Sequence, residues 1–418
     1  MSDQLARRLT TGDAVMVGLG AMLGAGVFAA FGPAAEVAGA GLLIGLALAA
    51  AVAFANATSS AQLAALYPQA GGTYVYGRKR LGEPAGVLAG IAFVVGKTAS
   101  CAAMALTFGA YLAPDLARPL AIGAVVGLTA VNLAGVHRTA AVTRIIVALV
   151  LAVLATVVVA TFGGGAIEPA NLAELTGVGG WYGVLQSAGL LFFAFAGYAR
   201  IATLGEEVVE PERTIPRAVP IALGITLIVY TLVGTGALLS AGPAVLAVAD
   251  APLAAAVEAG RFANVSPVVR AGAALASAGV LLSLLVGVSR TSFAMARDGH
   301  LPAALARVST RSRVPHVAEV SIAAAVIVLL VTPIDLRGAI GFSSFGVLLY
   351  YGIANASAAT LTASERRWPR WIAMGGVVGC AVLVVTLPLV SVISGAAVLL
   401  AGSAAIALRW RWRGSDGP

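Results

Sequence analysis

The sequence predicts an all-α integral membrane protein with about twelve transmembrane helices. Of its 418 residues, 60% are hydrophobic and only 11% are charged, whereas an average soluble domain has about 25% charged residues. Uncharged runs close to the ~20 residues that cross a bilayer as a helix recur along the whole chain. A soluble core could not bury so much apolar surface, so a soluble enzyme is excluded. The basic residues are spread over short loops, which argues against a nucleic-acid-binding domain.

The apolar runs divide into twelve predicted spans, with Gly and Pro marking the loops between them. The predicted spans are residues 13–36, 39–66, 85–112, 118–135, 141–162, 182–205, 217–240, 267–296, 317–333, 337–362, 371–388 and 390–409. They form a single domain over residues 1–410, and residues 411–418 are expected to be a short cytoplasmic tail.

The loop charges predict the orientation. With the N-terminus placed inside, 20 of the 26 Lys and Arg residues lie on the cytoplasmic side, four lie outside and two lie within spans. The four outside are Arg118, Arg261, Arg270 and Arg337, and the two within spans are Lys97 and Arg200. Positively charged loops remain in the cytoplasm, so both termini are predicted to be cytoplasmic, in a plasma (inner) membrane. The arginine-rich, lysine-poor composition suggests a bacterium with a GC-rich genome.

Nothing in the sequence indicates catalysis. It contains no HExxH motif, nucleophile elbow, Walker lysine motif or cluster of metal ligands. His137, His300 and His316 fall in predicted loops and are interpreted as ordinary surface histidines. Cys101 and Cys380 lie in apolar runs and are interpreted as small buried hydrophobes. We therefore expect no catalytic residue, no cofactor and no metal site.

Two spans are rich in features that interrupt a helix. Span 1 reads "VGLGAMLGAGVFAAFGP", with Gly18, Gly20, Gly24 and Gly26 within nine residues, and span 6 reads "LLFFAFAGYARIATLGEE". Glycine permits backbone unwinding, and a pair of Gly-interrupted spans at matching positions is typical of the inverted repeats of secondary transporters. Spans 1 and 6 would each open a five-helix half, covering residues 13–162 and 182–362. Residues 371–409 add two further helices.

A broken helix exposes backbone N–H groups at one end, which attract a carboxylate, and carbonyls at the other, which attract an ammonium. Such breaks persist in a membrane only where they line a cavity or are buried in protein. The pair therefore predicts a site for a zwitterion near the middle of the membrane. The alternative is that these glycines simply allow close helix packing.

Several stretches resemble the amino acid–polyamine–organocation (APC) superfamily of amino acid permeases. They are "GAMLGAGVF" (20–28), "QLAALYPQAGGTYVYGRKRLGEPAGVLAG" (62–90), "FFAFAGYARIATLGEEVVEPERTIPRAV" (192–219), "SRTSFAMARDGHLP" (289–302) and "VPHVAEV" (314–320). The resemblance extends over about residues 5 to 410. It implies twelve helices, with spans 1–5 and 6–10 as inverted repeats. It also implies alternating access and an amino-acid-like substrate.

The resemblance also implies a set of substrate contacts. By position, carboxylate contacts fall on Gly24, Ala25 and Gly26, ammonium contacts fall on Met22 and the carbonyls of Ala194, Phe195 and Ala196, and an aromatic gate falls on Phe193. Span 8 offers Ser283 and Ser289, and span 10 offers Ser343 and Ser344. No Asp or Glu lies in the middle of a predicted pocket span, which disfavours arginine or a polyamine as substrate.

Lys97, one of only two lysines, lies deep inside span 3. A lone charge there costs at least ~2.5–3.5 kcal/mol on insertion scales, and Lys97 is ~18 Å along the helix. A functional position facing a cavity is therefore expected, with a structural pairing as the alternative. Lys97, Cys101 and Met104 share one helical face. The resemblance implies that Lys97 and Cys101 line the substrate pocket.

Two roles for Lys97 remain open. It could carry the coupling proton, because burial favours the neutral amine, or it could stay charged and bind an anionic group of the substrate. A third role, replacing a coupling sodium ion, has no support in the sequence. Proton-coupled relatives often have a lysine in span 5, but that position here falls on Val150. The proton-linked role is favoured slightly.

The charged loops after spans 6 and 8 are interpreted as a cytoplasmic gate or as ion pairs that order the loops. The acidic residues are Glu206, Glu207, Glu210 and Glu212, beside Arg213 and Arg217, and the second loop contains "ARDG" (296–299). Phe193, Glu206 and Glu207 are the predicted gate. A solvated acidic stretch is the alternative interpretation.

The sequence thus predicts a secondary active permease for an amino acid or a related zwitterion, with protons and the lipid bilayer as further partners. The alternatives are an exchanger, or a carrier of acidic amino acids or carboxylates anchored by Lys97. A membrane-embedded sensor and a lipid-modifying enzyme are alternatives of a different class.

Overall fold

The computed structural model describes residues 9–24, 26–67, 69, 71–135, 140–176, 179–202, 208–309 and 314–415. Within these ranges the chain is helical, and its only β-type pairing is an isolated bridge between Leu9 and Val208. Eight helical segments of the described chain are long and apolar enough to cross a membrane, and two shorter apolar helices accompany them. The protein is therefore a multi-pass, all-helical membrane protein, and the count of twelve spans stays a prediction.

The described residues form sixteen α-helices, seven in the first half of the chain and nine in the second. Those in the first half are α1 (Thr11–Met22), α2 (Gly26–Ala38), α3 (Leu42–Leu66), α4 (Thr73–Leu81), α5 (Glu83–Leu112), α6 (Ala117–Leu133) and α7 (Ala140–Gly163). The sequence analysis predicted no helix at α4, because this segment is too polar to resemble a transmembrane span. It is nevertheless helical: Gly82, at a φ of 98°, ends α4 and turns the chain into α5, and three basic residues in its last turn suit the helix dipole.

The second half contains nine α-helices. They are α8 (Gly180–Phe195), α9 (Ala199–Ala202), α10 (Pro211–Val248), α11 (Pro252–Glu258), α12 (Ser266–Arg297), α13 (His316–Val331), α14 (Leu336–Ala359), α15 (Arg370–Thr386) and α16 (Leu389–Ser415). Much of the predicted loop 241–266 is therefore helical. α10 continues past a kink at Gly242, whose φ is 76°, and α16 extends through most of the predicted tail.

Two predicted spans are interrupted, as their glycines indicated. In the first, α1 ends at Met22 and α2 begins at Gly26. In the sixth, α8 ends at Phe195 and is followed by a 3-10 turn over Ala196–Tyr198 before the short α9. Both interruptions lie inside the helical bundle, where surrounding side chains are almost completely buried.

The long helix α5 packs on α4, α6, α12 and α14. Its contact with α14 is a close approach of two backbones: a Cβ atom added to Gly346 would lie 2.9 Å from Cα of Gly96. One turn further along α5, the hydroxyls of Ser100 and Ser343 are 2.6 Å apart. Small residues allow membrane helices to approach this closely, so α5 is held rigidly against α14.

The charged side chains separate into two ends of the bundle. At one end, Arg78 pairs with Asp298 at 2.6 Å, and Arg80 pairs with Glu365 at 2.6 Å. The N-terminal segment reaches the same end, because the amide of Val209 donates to the carbonyl of Leu9 at 2.9 Å. We call this end, which contains α4 and residues 298–309 and 362–370, the basic end. At the opposite end, Arg118 donates to the carbonyls of Leu330, Thr332 and Ile334.

His300 is buried, so the prediction that it is an ordinary surface histidine is wrong. Its side chain is only 4% exposed, with Nδ1 2.7 Å from the hydroxyl of Tyr74 and Nε2 2.9 Å from Oε1 of Glu83. The Tyr74 hydroxyl also donates to Asp298 at 2.6 Å. Burial lowers the pKa of His300, and the Glu83 carboxylate opposes that effect. Asp298 of "ARDG" therefore takes part in a network that ties α4 and α5 to the end of α12.

The Arg80–Glu365 pair makes the stability of the basic end depend on pH. Hydrogen bonds from Arg80 and from the Thr362 amide lower the pKa of Glu365 to about 2, from an ordinary value of 4.5. A lowered carboxyl pKa stabilises the fold above the unfolded value, and this contribution disappears as the pH falls from about 4.5 towards 2. We expect Glu365→Gln to lower the melting temperature in detergent at pH 6, with the difference from wild type narrowing below pH 4.5.

The matched control is Glu174→Gln, which alters an exposed carboxylate in the segment between α7 and α8. It should leave the melting temperature unchanged at both pH values. A difference between wild type and Glu365→Gln that stays constant from pH 6 to pH 3 would contradict this account of the pair.

Candidate functional site

The two interrupted helices meet each other through glycines. A Cβ atom added to Gly26 would lie 2.6 Å from Cα of Ala194, and one added to Gly197 would lie 2.7 Å from the amide nitrogen of Met22. Real Cβ atoms do not approach other atoms so closely, so both positions require glycine. Close packing, the alternative reading of these glycines, is therefore present. It joins the two interruptions to each other, which brings their free backbone groups into one place.

A tyrosine that the sequence analysis did not single out connects the two interruptions. The hydroxyl of Tyr230, in α10, donates to the carbonyl of Met22 and lies 3.0 Å from the carbonyl of Ala194. A hydroxyl has one proton, so it serves these two acceptors in turn. Its side chain is 1% exposed. The signal for this role was weak, since a lone tyrosine in a span is usually a packing residue.

A second tyrosine hydroxyl reaches the sixth span. Tyr351, in α14, donates to the carbonyl of Ala196 at 3.3 Å. Three of the carbonyls expected to receive an ammonium, those of Met22, Ala194 and Ala196, are thus oriented by tyrosines. A carbonyl has two lone pairs, so each of these three could still accept a hydrogen bond from a substrate.

The predicted gate residue differs from the phenylalanines beside it. Phe192 and Phe195 are completely buried, with ring centroids 5.9 Å from Tyr351 and 5.2 Å from Tyr230. Phe193 is only partly buried. It is therefore the member of this run whose ring remains accessible, and its role as a gate stays a prediction.

Lys97 is 8% exposed and lies near the middle of α5. Within the described part of the chain, it makes no hydrogen bond or ion pair. Cys101 and Met104, on the same helical face, are completely buried. Gly90, two turns before Lys97 on that face, lies against Met295 of α12. We infer that Lys97 is directed to the α12 side of α5, away from the Gly96 contact with α14.

Ser283 is exposed, and its hydroxyl donates to the carbonyl of Gly279 at 3.2 Å in its own helix. It lies one turn after Val280, whose side chain occupies the space where a Cβ of Gly24 would be. The first interruption and Ser283 therefore lie on the same side of α12. Ser343 is instead buried in the contact with Ser100.

Some predicted site residues lie outside the described residues, namely Ala25, Glu206 and Glu207. Of the other charges after the sixth span, Glu210 pairs with Arg213 at 3.2 Å and Glu212 with Arg367 at 3.8 Å. Sequence reasoning also missed Glu319, in the first turn of α13. Its carboxyl is 4% exposed, with Oε1 3.5 Å from the hydroxyl of Ser289. In the described ranges, no three His, Cys, Asp or Glu side chains are grouped to hold a metal.

The all-helical membrane fold with two interrupted helices is consistent with a membrane transporter, and comparison with known proteins points to the same class. A family model described as amino acid permease matches residues 9–409. The chain therefore belongs to the amino acid permease family, as the motifs indicated.

Similar proteins from several organisms share most of the chain. An uncharacterized transporter of Mycobacterium tuberculosis is 59% identical, over 97% of this chain and 92% of its own length. The branched-chain amino acid permease BcaP of Bacillus subtilis is 27% identical, over 75% of this chain and 72% of its own. The chloroplastic cationic amino acid transporter 7 of Arabidopsis thaliana is 28% identical, over 85% and 65% respectively.

The glycine contact between the interruptions gives a direct prediction. Gly26→Ala introduces a methyl group that would lie 2.9 Å from the Cβ of Ala194, which forces the two spans apart. Overpacking of this kind costs about 1–3 kcal/mol, although alanine alone would favour a helix. We expect a lower melting temperature in detergent and loss of uptake in proteoliposomes.

Gly12→Ala is the control, because the only atom near its added Cβ is Oγ1 of Thr10, at 3.8 Å. This substitution should leave stability and uptake at wild-type levels or raise stability slightly. If Gly26→Ala and Gly12→Ala behave alike, the close contact between the interruptions is not required.

Proposed function

We propose that this protein is a secondary active transporter that moves an amino acid or a related small zwitterion across the plasma membrane by alternating access. In this proposal, residues 13–162 and 182–362 are the two inverted repeats, and both termini are cytoplasmic. The observation that carries the proposal is the crossing of the two interrupted helices at Gly26 and Gly197. It brings the backbone N–H donors at the start of α2 close to the carbonyl acceptors at the end of α8, inside the bundle.

In the proposed site, the substrate carboxylate binds at the start of α2, at residues Gly24 to Gly26. Backbone N–H groups at a helix N-terminus are suited to an anion. The substrate ammonium binds at the end of α8, where carbonyls carry the negative end of the helix dipole. Tyr230 supports this arrangement, because it fixes the carbonyls of Met22 and Ala194 relative to each other. Phe193 covers the substrate.

In this proposal, transport is coupled to the charge state of the Lys97 amine. A buried ammonium without a partner is unfavourable in a membrane. The free-energy cost of burying Lys97 is lowered either when it loses its proton or when an anion binds beside it. Val150, at the position where coupled relatives often have lysine, is a buried apolar side chain that cannot take a proton. We therefore favour Lys97 as the proton-linked residue.

A second candidate function is transport of an acidic amino acid or carboxylate, or exchange of two substrates, with Lys97 as the anchor. The named relatives do not decide between them, because they include a branched-chain amino acid permease, a methylthioribose transporter and cationic amino acid transporters. In its protonated form, Lys97 disfavours a cationic substrate, since two like charges in one site repel each other.

The test is uptake of a panel of labelled amino acids into proteoliposomes, with and without an inward proton gradient. Wild type is compared with Lys97→Ala, and Lys79→Ala is the matched control, since Lys79 is the other lysine and lies exposed on α4. We expect gradient-dependent uptake of a neutral amino acid in wild type and Lys79→Ala. Lys97→Ala should lose the dependence on the gradient.

Acidic substrates that dominate in wild type and are lost in Lys97→Ala, whatever the gradient, would support the second candidate instead. Saturable uptake by liposomes containing only this protein would exclude a sensor or a lipid-modifying enzyme. No uptake of any amino acid by wild type would contradict both candidate functions.

A further inference from the structure

A groove opens on the surface of the bundle. α10 and α15 both pack on α3, and they leave between them a cavity of about 740 Å³. Its volume falls within the range of small-molecule sites, about 300–1,000 Å³. Small residues of α3 form the floor, and Leu223 and Leu227 of α10 form one wall. The groove is thus lined mainly by apolar residues of α3, α10 and α15.

The groove is empty space that protein atoms do not fill. Gly224 of α10 and Gly375 of α15 both line it, and no atom lies within 4 Å of the position that a Cβ would take at either glycine. Phe54 and Trp371, also in its lining, are 41% and 72% exposed. An apolar groove this open inside a bilayer must be covered by hydrocarbon.

The mouth of the groove lies at the basic end. The ion pair of Arg367 with Glu212 joins the start of α10 to the segment before α15. Arg217 precedes Pro220 and Gly224 at helical spacing of i, i+3 and i+7, which places it on the face that lines the groove. At the other wall, Arg370 directly precedes Trp371, and tryptophan favours the headgroup level of a membrane.

Two arginines flank the mouth of the groove. Arg217 and Arg370 are exposed, and neither has an ion-pair partner among the described residues. Arg78, Arg80 and Arg367, at the same end, each pair with a carboxylate. Two uncompensated guanidinium groups therefore flank the polar end of a hydrocarbon-filled groove. An anionic phosphate is the complementary group, because guanidinium binds phosphate through paired hydrogen bonds.

We propose that the groove between α3, α10 and α15 is a binding site for one anionic phospholipid. An acyl chain fills the groove, and the phosphate is bound by Arg217 and Arg370. The floor includes Phe195, whose ring is 5.2 Å from that of Tyr230. The occupied groove therefore lies beside the end of α8, where the sixth span is interrupted.

The test uses Trp371 as a reporter inside the groove. The other four tryptophans, Trp181, Trp368, Trp410 and Trp412, are replaced by phenylalanine. The full chain is reconstituted in vesicles with brominated phosphatidylglycerol or brominated phosphatidylcholine, each of which quenches a tryptophan that it touches. Each interfacial arginine favours an anionic lipid by about 1 kcal/mol, or roughly fivefold. We expect phosphatidylglycerol to bind at Trp371 at least fivefold more strongly than phosphatidylcholine.

The arginine variants separate specific binding from ordinary lipid contact. Arg217→Gln with Arg370→Gln should reduce the preference for phosphatidylglycerol to about one. Arg307→Gln, an exposed arginine of the segment between α12 and α13, should leave the preference unchanged. Equal quenching by both lipids in the wild-type background would overturn the proposal and indicate non-selective boundary lipid. A preference that survives the double arginine substitution would also overturn it.

Substitutions that fill the groove with a larger side chain provide an independent test of the proposal. Gly224→Leu or Gly375→Leu should reduce quenching at Trp371 by both lipids, because the leucine side chain occupies the space of the acyl chain. Gly127→Leu, at an equally open glycine of α6 outside the groove, should have no effect. Quenching that is unaffected by the groove-filling variants would place the lipid elsewhere. All these readouts are independent of transport, so a failure of the proposed function leaves the test intact.

Discussion

The structure depends on one contact, the crossing of two interrupted helices at Gly26 and Gly197. The absence of side chains there lets the backbone of the first span touch that of the sixth, and Tyr230 bridges the carbonyls of Met22 and Ala194. Helices cannot normally expose backbone groups inside a membrane, because each unsatisfied group is costly. The crossing resolves that problem, since each break is enclosed by the other and by tyrosines from α10 and α14. This arrangement is the basis of the proposed site for a zwitterion.

The rest of the bundle positions this crossing. α5 is fixed against α14 by Gly96 and Gly346. At the basic end, ion pairs tie α4, the end of α12 and the segment before α15 together. Movement of the spans relative to one another must therefore break or rearrange contacts at this end of the bundle. Lys97, in contrast, is an ionisable group held in the interior, with no hydrogen-bond or ion-pair partner among the described residues.

The sequence was enough to predict the class of fold, because the length of the apolar runs and the positions of the glycines are local features of the chain. The family followed from the motifs, and the breaks in the first and sixth spans lie where the glycines indicated. Tyr230 and the burial of His300 could not be foreseen, since both depend on partners more than 200 residues apart in the chain. α4 was missed because a polar helix at a membrane surface has no span-like pattern.

The central claim is that substrate binds where the interrupted helices cross, and substrate protection of a nearby thiol tests it most directly. Ser283 is exposed beside the first interruption. In a background with Cys101→Ala and Cys380→Ala, Ser283→Cys would be labelled with a thiol reagent with and without a transported amino acid, and Ser364→Cys, in the exposed segment before α15, would be the control. The account predicts that the amino acid slows labelling at position 283 and not at position 364. Equal labelling rates at position 283 with and without the amino acid would contradict it.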